Sequence, residues 1–467
     1  MRAGETSLRL AFYGDDFTGS TDALEVLTFS GLRCALFLEP PSTQVLENLG
    51  PFDAIGIAGN SRAMTPQDML TKLPPILEAL AKMPVPLVHY KVCSTFDSST
   101  EIGSMGQVMD LSRASFGEGL IPVVAATPAL GRYCVFGHLF ARSGTDGQVY
   151  RLDRHPIMMH HPVTPMTESD LKMHIGSQTR QRIAGITWPQ LELNRDAQDS
   201  AVDHLVDTGA DALLFDGINA QHLTEAGRQL ERLARQRSKP LFAVGSSGLE
   251  YALTQWWREQ AGAEAAPAPH RWSHLEPVTQ VLAVSASAST LSALQIDAAI
   301  AAGFVGIPIH AKDLIAGQNV KGAYQAIKQE TLHHLRAGRS VILHTARGNQ
   351  DERILELVQA CQASGLTFEQ ARIHAGRQLG QCLGRLTEDL LKEIPIPRLL
   401  LSGGDTSSAI MQQLGPQALE VVARISPGAP LCKLLSDQPH LHALQVALKG
   451  GQMGSEDFFV TAKQGHA

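Results

Sequence analysis

Two adjacent carboxylates stand near the start of the chain, in the segment GDDFTGS at residues 14–20. The segment directly follows Leu8–Tyr13, an apolar run typical of a buried strand. Ligands of open α/β sheets bind at the carboxyl ends of strands, so Asp15 and Asp16 could orient or deprotonate a hydroxyl there. The alternative is that one of them only caps the following helix. The motif alone leaves both interpretations open.

Cationic and hydroxyl side chains follow the next strand-like runs. Arg62 comes after Asp53–Ile57, while Lys91 and Ser94 accompany the run Leu87–Val92. Arg and Lys at strand ends suit a substrate carboxylate, and Arg can bind one in bidentate fashion. A single surface cation is the ordinary alternative. Because both cations are expected at one edge of one sheet, the pattern favours a site for an organic anion.

Three turns of small residues mark the second half of the chain, each beside an apolar run. Glycine lets the backbone approach a phosphate closely, and a helix N-terminus supplies N–H donors. One such turn is usually only a tight turn, but three in one domain favour a nucleotide pocket. The residues predicted to line it are Ser285, Ser287, Ser289, Gly403, Gly404, Asp405, Thr406, Gly450 and Gly451.

Several function classes are disfavoured. The sequence has no GxxxxGK[ST] P-loop, no GxGxxG after a strand and no protein-kinase signature set. Its net charge of −7 argues against nucleic acid as a partner. The six cysteines form no CxxC pair, which favours a reduced, cytoplasmic compartment. No signal-like or membrane-spanning apolar run is found, so no membrane partner is expected.

The segment 142–187 interrupts the regular pattern and contains His155, His160 and His161. Long excursions inside compact domains are usually functional, but this one has no assigned role. The histidines lack acidic or cysteine partners at ligand spacing, so a structural loop is favoured over a metal site.

The elements that position these residues alternate between short apolar runs and helical patterns, as in parallel sheets flanked by helices. A chain of 467 residues exceeds what one core normally serves. Residues 261–277 are rich in Ala and Pro and are interpreted as a linker. We therefore predict two α/β domains, 1–260 and 278–467, each a mainly parallel sheet flanked by helices, with a ligand cleft between them.

Several segments, in the same order, resemble the four-carbon acid sugar kinase family over nearly the whole chain. The opening GDDFTGSTD at 14–22 is the most specific, because it is similar to the family's DDFTGA-type start. The other similar segments are PALGR at 128–132 with 137–140, HPVTPM at 161–166, GSSGL at 245–249, SASAS at 285–289, SGGDT at 402–406 and the KGG turn at 449–451.

The resemblance implies transfer of the γ-phosphate of ATP, with Mg²⁺, to a hydroxyl of threonate, erythronate or an oxo-tetronate, usually the terminal one. It places the acid on the N-terminal domain and ATP on the C-terminal domain. The catalytic carboxylate would be Asp16 ahead of Asp15, and Asp405 would hold the metal or cap its helix. The residues that would bind the acid are Arg62, Lys91, Ser94 and His161. Domain closure about the linker would exclude water.

Two positions depart from the family's KxDSTxRGN segment. Cys93 stands where an acidic residue is typical, and Asp97 stands where an arginine is typical. The segment 154–159 is also unusual. Since these changes lie on the acid side, a branched or five-carbon acid such as 3-oxo-isoapionate is an alternative acceptor. A non-catalytic sugar-acid sensor is the rival from another class, an oxidoreductase would need the missing dinucleotide motif, and a homodimer is left open.

Overall fold

The computed structural model describes residues 8–143, 147–161, 163–265, 274–362 and 365–465. The chain divides into two units, Met1–His270 and Arg271–Ala467. Each unit has the α/β architecture, with a mainly parallel sheet and flanking helices, that the alternating sequence pattern predicts, so the predicted fold class is confirmed.

The first unit contains apolar strand segments that are buried on both faces, as parallel strands covered by helices require. Its strands are β1 (Leu10–Gly14), β2 (Cys34–Phe37), β3 (Ala54–Ala58), β4 (Leu87–Lys91), β5 (Ile121–Val124), β6 (Arg132–Val135), β7 (His138–Arg142), β8 (Val149–Arg151), β9 (Ile183–Ile186), β10 (Ala212–Phe215) and β11 (Leu241–Gly245). Its α-helices are α1 (Phe17–Phe29), α2 (Thr43–Leu49), α3 (Pro66–Ala81), α4 (Met105–Phe116), α5 (Leu171–Gly176), α6 (Trp188–Leu191), α7 (Arg195–Asp207), α8 (Ala220–Arg235) and α9 (Gly248–Ala265).

The parallel sheet of this unit has the order β2-β3-β1-β4-β11-β5-β10-β9, and β6, β7 and β8 form a separate antiparallel sheet. Gly14 pairs in register with Ala58 on one side and with Lys91 on the other. Lys91 in turn pairs with Gly245 at the end of β11. The carboxyl ends of β3, β1, β4 and β11 are therefore neighbours, which brings the segments after them to one edge.

The strands of the second unit follow the order β13-β14-β12-β15-β18-β17-β16. The strands are parallel from β13 to β18, while β17 runs antiparallel to both β18 and β16. Those strands are β12 (Val281–Ser285), β13 (Val305–Pro308), β14 (Val341–His344), β15 (Arg398–Ser402), β16 (Ala418–Ser426), β17 (Ala429–Leu435) and β18 (Gln445–Lys449). The helices are α10 (Thr290–Ala301), α11 (Ala311–Ile315), α12 (Val320–Arg336), α13 (Glu352–Gln362), α14 (Phe368–Glu393), α15 (Gly404–Leu414) and α16 (Phe458–Gln464).

Two regions differ from the sequence expectation. The segment 142–187 contains regular secondary structure, namely β8, α5 and β9. The strand β9 pairs with β10 at the edge of the parallel sheet. The helix α9 continues to Ala265, past a break at Gly262 where φ is +72°, so it covers the first residues of the predicted 261–277 linker. Residues 266–273 of that linker lie outside the described residues.

None of the helices within the ranges that the structure describes is long and apolar enough to cross a bilayer.

Candidate active site

Asp16 lies between β1 and α1 and caps the helix. Its backbone is extended, and its Oδ1 accepts a hydrogen bond from the Gly19 amide at 2.8 Å. Its Oδ2 accepts from the Thr18 hydroxyl, also at 2.8 Å. The capping alternative is thus realised at Asp16, and it fixes the carboxylate at the carboxyl edge of the sheet.

Arg62, which follows β3, binds both aspartates. Its Nη2 lies 2.7 Å from Asp15 Oδ1 and 3.0 Å from Asp16 Oδ1, its Nε lies 3.1 Å from Asp15 Oδ2, and its Nη1 lies 3.0 Å from Asp16 Oδ2. All three guanidinium nitrogens are therefore engaged by protein carboxylates. The structure brings Arg62 to the predicted site, but places it on the aspartates.

The local charges change how Asp15 and Arg62 ionise. Burial raises the pKa of Asp15 above its usual value, and the neighbouring Asp16 charge adds to this, despite the opposing Arg62 guanidinium. Burial alone would lower the pKa of Arg62, but the charges of Asp15 and Asp16 raise it well above its usual value. The arginine is a permanent cation, and Asp15 is a stronger base than an exposed aspartate.

Lys91 lies at the end of β4 with its side chain buried and its Nζ 3.5 Å from Asp22 Oδ2. Burial would lower the pKa of this ammonium, but the charges of Asp22, Asp16 and Asp15 raise it above its usual value. The ammonium approaches the start of α1 closely, because a Cβ on Gly19 would stand 2.8 Å from the Lys91 Nζ. Lys91 is thus a protonated group beside the two aspartates, and Asp22 is a site residue that the sequence reasoning missed.

The loop after β4 is joined to the HPVTPM loop through Asp97. Thr95 donates to Asp97 Oδ1 at 2.6 Å, and the Thr164 hydroxyl donates to Asp97 Oδ2 at 3.4 Å. Burial raises the pKa of Asp97, but the charge of Arg62 and the Thr95 hydrogen bond outweigh it, so the net pKa lies below its usual value. Asp97 is therefore an anion that ties the two loops together.

His161 is oriented by the same loop. Its Nδ1 accepts a hydrogen bond from the Thr164 amide at 3.1 Å. A neutral imidazole that accepts at Nδ1 carries its proton on Nε2. His161 is thus set up to donate from Nε2 to an oxygen of a ligand.

Arg132 is a second residue that the sequence reasoning did not single out, although it ends the PALGR segment. Its Nε donates to Ser94 Oγ at 3.2 Å and its Nη1 donates to the Leu130 carbonyl at 2.7 Å. Within the described ranges no carboxylate forms an ion pair with it. Arg132 therefore differs from Arg62, because its charge is available to an external anion.

The histidines give no sign of a metal centre. His155 accepts hydrogen bonds at Nδ1 from the amides of Ile157 and Met158, at 3.2 and 3.3 Å, which stabilises the local turn. In the part of the chain that the structure describes, no group of three or more His, Cys, Asp or Glu side chains is arranged to hold a metal ion.

The three small-residue turns of the second unit also lie side by side. Ser285 pairs in register with Ser402, and Ser402 pairs with Lys449, so the turns follow three adjacent parallel strands. A Cβ on Gly451 would stand 2.2 Å from Ser287 Oγ, and Gly403 has a φ of +113°. Glycine is required at both positions, one for close approach and one for backbone conformation.

The helix starts beside these turns present hydrogen-bond donors. Ser289 caps α10 by accepting from the Ser292 amide at 3.0 Å. Gly404, Asp405 and Thr406 form the first turn of α15, whose leading amides have no partner within the helix. Ser285 Oγ and Ser407 Oγ are buried without a hydrogen-bond partner among the described residues. Orphan hydroxyls, free amides and crowded glycines together fit a phosphate-binding cradle.

The two units match two known domain families. Residues 10–253 match the family of sugar-binding N-terminal domains, and residues 282–459 match the family of nucleotide-binding C-terminal domains. The chain is similar to a 3-oxo-isoapionate kinase of Paraburkholderia graminis, with 37% identity over 99% of this chain and 96% of the relative. It is also similar to a 3-oxo-tetronate kinase of Pseudomonas fluorescens, with 30% identity over 97% of this chain and 96% of the relative.

Solved structures show the same fold. A Salmonella typhimurium protein matches with a TM-score of 0.77 and 24% identity, covering 97% of this chain and 98% of its own. A Haemophilus influenzae protein of the DUF1537 family matches with a TM-score of 0.68 and 22% identity, covering 97% and 99%.

Proposed function

The chain belongs to the four-carbon acid sugar kinase family, and we propose that this ATP-dependent sugar-acid kinase phosphorylates a branched 3-oxo acid of the 3-oxo-isoapionate type. The observation that carries this choice of acceptor is the higher identity to a 3-oxo-isoapionate kinase than to the 3-oxo-tetronate kinases. The acid-side departures at Cys93 and Asp97 support it, because Asp97 lies in the candidate site.

The acceptor hydroxyl is assigned to the two aspartates. The Asp16 side chain is 22% exposed and the Asp15 side chain only 7%, so Asp16 is the carboxylate that a hydroxyl can reach. In this assignment the hydroxyl gives its proton to Asp16 as its oxygen bonds to the γ-phosphorus and ADP leaves. Arg62 holds both carboxylates in place and serves as their counter-ion.

The carboxylate of the acid needs a cation that is not already paired. Arg62 is already paired with both aspartates, whereas Arg132 has no carboxylate partner among the described residues. We therefore assign the substrate carboxylate to Arg132, while Lys91, which is already paired with Asp22, adds positive charge beside the aspartates. Ser94 supports Arg132 through its hydroxyl, and the Nε2–H of His161 is the donor for a carbonyl or hydroxyl oxygen of the acid.

The triphosphate is assigned to the cradle of the second unit, where residues 285–289, 403–406 and 450–451 supply amides and hydroxyls. Mg²⁺ in phosphate sites is usually held by one or two carboxylates together with phosphate oxygens and water. Asp405, exposed on the first turn of α15, fits that requirement without a protein cage of several carboxylates. Such an ion would neutralise charge on the phosphate oxygens.

The cellular setting is part of the proposal. The six cysteines form no disulfide bonds among the described residues, which supports a reduced, cytoplasmic location.

A panel of acids tests the proposed acceptor. ADP release is measured with ATP and Mg²⁺ against 3-oxo-isoapionate, 3-oxo-tetronate, threonate and erythronate. We expect the highest kcat/KM with 3-oxo-isoapionate. A higher value with 3-oxo-tetronate would assign the enzyme to four-carbon acids, and acid binding without ADP release would favour the sensor.

A further inference from the structure

Lys449 is a buried lysine at the end of β18, in the nucleotide-binding unit. It has no exposed surface, its Nζ lies 3.1 Å from the carbonyl oxygen of Gly450, and it stands 5.8 Å from the centre of the Phe458 ring. Burying an ammonium is costly unless an anion accompanies it. The position of this charge therefore needs an explanation.

Among the described residues, no carboxylate forms an ion pair with Lys449. The neighbouring elements carry Asp405 on α15, Lys433 on β17 and Asp457 just before α16. Burial lowers the pKa of Lys449 to about 8, with no opposing charge. The other buried lysine, Lys91, has three nearby carboxylates and a raised pKa.

The location of Lys449 indicates which kind of anion it could bind. Its carbonyl accepts a hydrogen bond from the Gly403 amide at 3.0 Å, and it pairs in register with Ser402. The orphan hydroxyl of Ser285 lies at the end of the next strand, β12, and that of Ser407 lies in the first turns of α15. The ammonium of Lys449 and the hydroxyls of Ser285 and Ser407 thus belong to the ends of β12, β15 and β18 or to the segments that directly follow these strands.

We propose that Lys449 is the cation that neutralises the phosphate chain of the bound nucleotide, and that the nucleotide is its missing counter-ion. This inference rests on the proposed function, because it assumes that the second unit binds a nucleoside di- or triphosphate. Its consequence is a proton linkage. In the free enzyme the Lys449 side chain is partly a neutral amine above pH 8. It takes up a proton when the phosphates bind. Nucleotide affinity therefore falls as pH rises through that range.

The alternative is a structural lysine that only holds the 449–451 turn through the Gly450 carbonyl and the Phe458 ring. A structural lysine would affect the thermal stability of the protein. It would not couple nucleotide binding to proton uptake.

Calorimetric titration with ADP separates the two, because ADP binds without turnover and its phosphates are almost fully ionised above pH 7.5. Titrations of the full chain in two buffers of different ionisation enthalpy, between pH 7.5 and 9.5, give the number of protons taken up. We expect the wild-type protein to take up about half a proton or more per ADP at pH 8.5. Lys449→Met should bind ADP about 10- to 100-fold more weakly, without this uptake.

Two further variants complete the test. Lys433→Met removes a partly exposed lysine of the same unit and should leave both quantities unchanged. Lys449→Arg keeps a cation that does not titrate in this range, so it should bind ADP without proton uptake. Equal ADP affinity of wild type and Lys449→Met, or a wild-type protein that binds ADP with no proton uptake at pH 8.5, would overturn the inference. Acid phosphorylation plays no part in this readout, so a wrong acceptor leaves the inference standing.

Discussion

The guanidinium of Arg62 donates to both carboxylate oxygens of Asp15, from Nη2 to Oδ1 at 2.7 Å and from Nε to Oδ2 at 3.1 Å. The two residues follow neighbouring parallel strands, so the sheet register sets their distance. Because the same guanidinium also binds Asp16, one arginine fixes the spacing of two carboxylates at the carboxyl edge of the sheet. A cation that the sequence suggests as a substrate ligand thus pairs, in the structure, with the two aspartates proposed to be catalytic.

Removing the Arg62 charge should move the pH dependence of catalysis. In Arg62→Met the two aspartates lose their counter-ion, so the pKa of Asp15 rises further and the acid limb of the kcat/KM profile moves to higher pH. In Arg62→Lys the positive charge remains, but the bidentate hydrogen bonds of the guanidinium are lost. We therefore expect kcat to fall and the acid limb of the profile to shift less than in Arg62→Met. Profiles of both variants, with the exposed Arg336→Met as control, test this. An unmoved acid limb in Arg62→Met would show that the arginine does not control these carboxylates.

Asp16→Asn should lose turnover and keep nucleotide binding. Asparagine caps helices as well as aspartate does, so α1 should start at the same residue. Loss of a general base typically lowers kcat about 10²- to 10⁴-fold. Steady-state kinetics and ADP titration measure the two effects, with Asp196→Asn on the first turn of α7 as the matched control. Full turnover in Asp16→Asn would exclude Asp16 from the chemistry.

The sequence predicts the fold well where local pattern decides it. The predicted strand-like runs Asp53–Ile57 and Leu87–Val92 are found as the strands Ala54–Ala58 and Leu87–Lys91, within one residue at each end. The strands β6 to β9 and β16 to β18 were not predicted. The strand β9 (Ile183–Ile186) contains a glycine and lies at the sheet edge. Its pairing with β10 is a tertiary contact that no local pattern signals.

Asp97→Asn should weaken acid binding more than nucleotide binding. The anion holds Thr164, and Thr164 in turn orients His161, so a neutral amide loosens the loop that offers the Nε2 donor. We expect the KM for the acid to rise about tenfold, as for loss of a charge-assisted hydrogen bond, with the KM for ATP unchanged. Asp203→Asn, at an exposed ion pair, serves as the control. Equal changes in both KM values would indicate a general loss of structure.

His344, at the end of β14, should make the protein less stable at low pH. Burial and the Arg353 charge lower the pKa of His344 to about 4. Between pH 6.5 and 4 the unfolded chain therefore takes up a proton that the folded chain does not, so stability falls as pH falls through this window. Thermal unfolding of wild type and His344→Gln measures this, and the variant should show a flatter dependence. Parallel curves would assign the loss to other groups.

The candidate site is predicted in part. The strand-end positions of Asp15, Asp16, Arg62 and Lys91 follow from the alternating pattern, and the structure brings these side chains together. Partner choice could not be predicted, because it depends on side-chain directions and on which cations already have carboxylates. This is why Arg132 and Asp22 were missed and why Arg62 was assigned to the substrate. No role was predicted for Lys449, because the Lys-Gly-Gly motif does not show that the lysine side chain is buried.

The fate of the γ-phosphate tests the central claim most directly. The protein is incubated with γ-labelled ATP, Mg²⁺ and 3-oxo-isoapionate, and the label is followed by mass spectrometry in wild type and Asp16→Asn. We predict that the wild-type enzyme transfers the label to the acid, one phosphate for each ADP formed, and that the variant transfers almost none. Label found only in inorganic phosphate, or ATP left intact in the presence of every acid of the panel, would contradict a sugar-acid kinase.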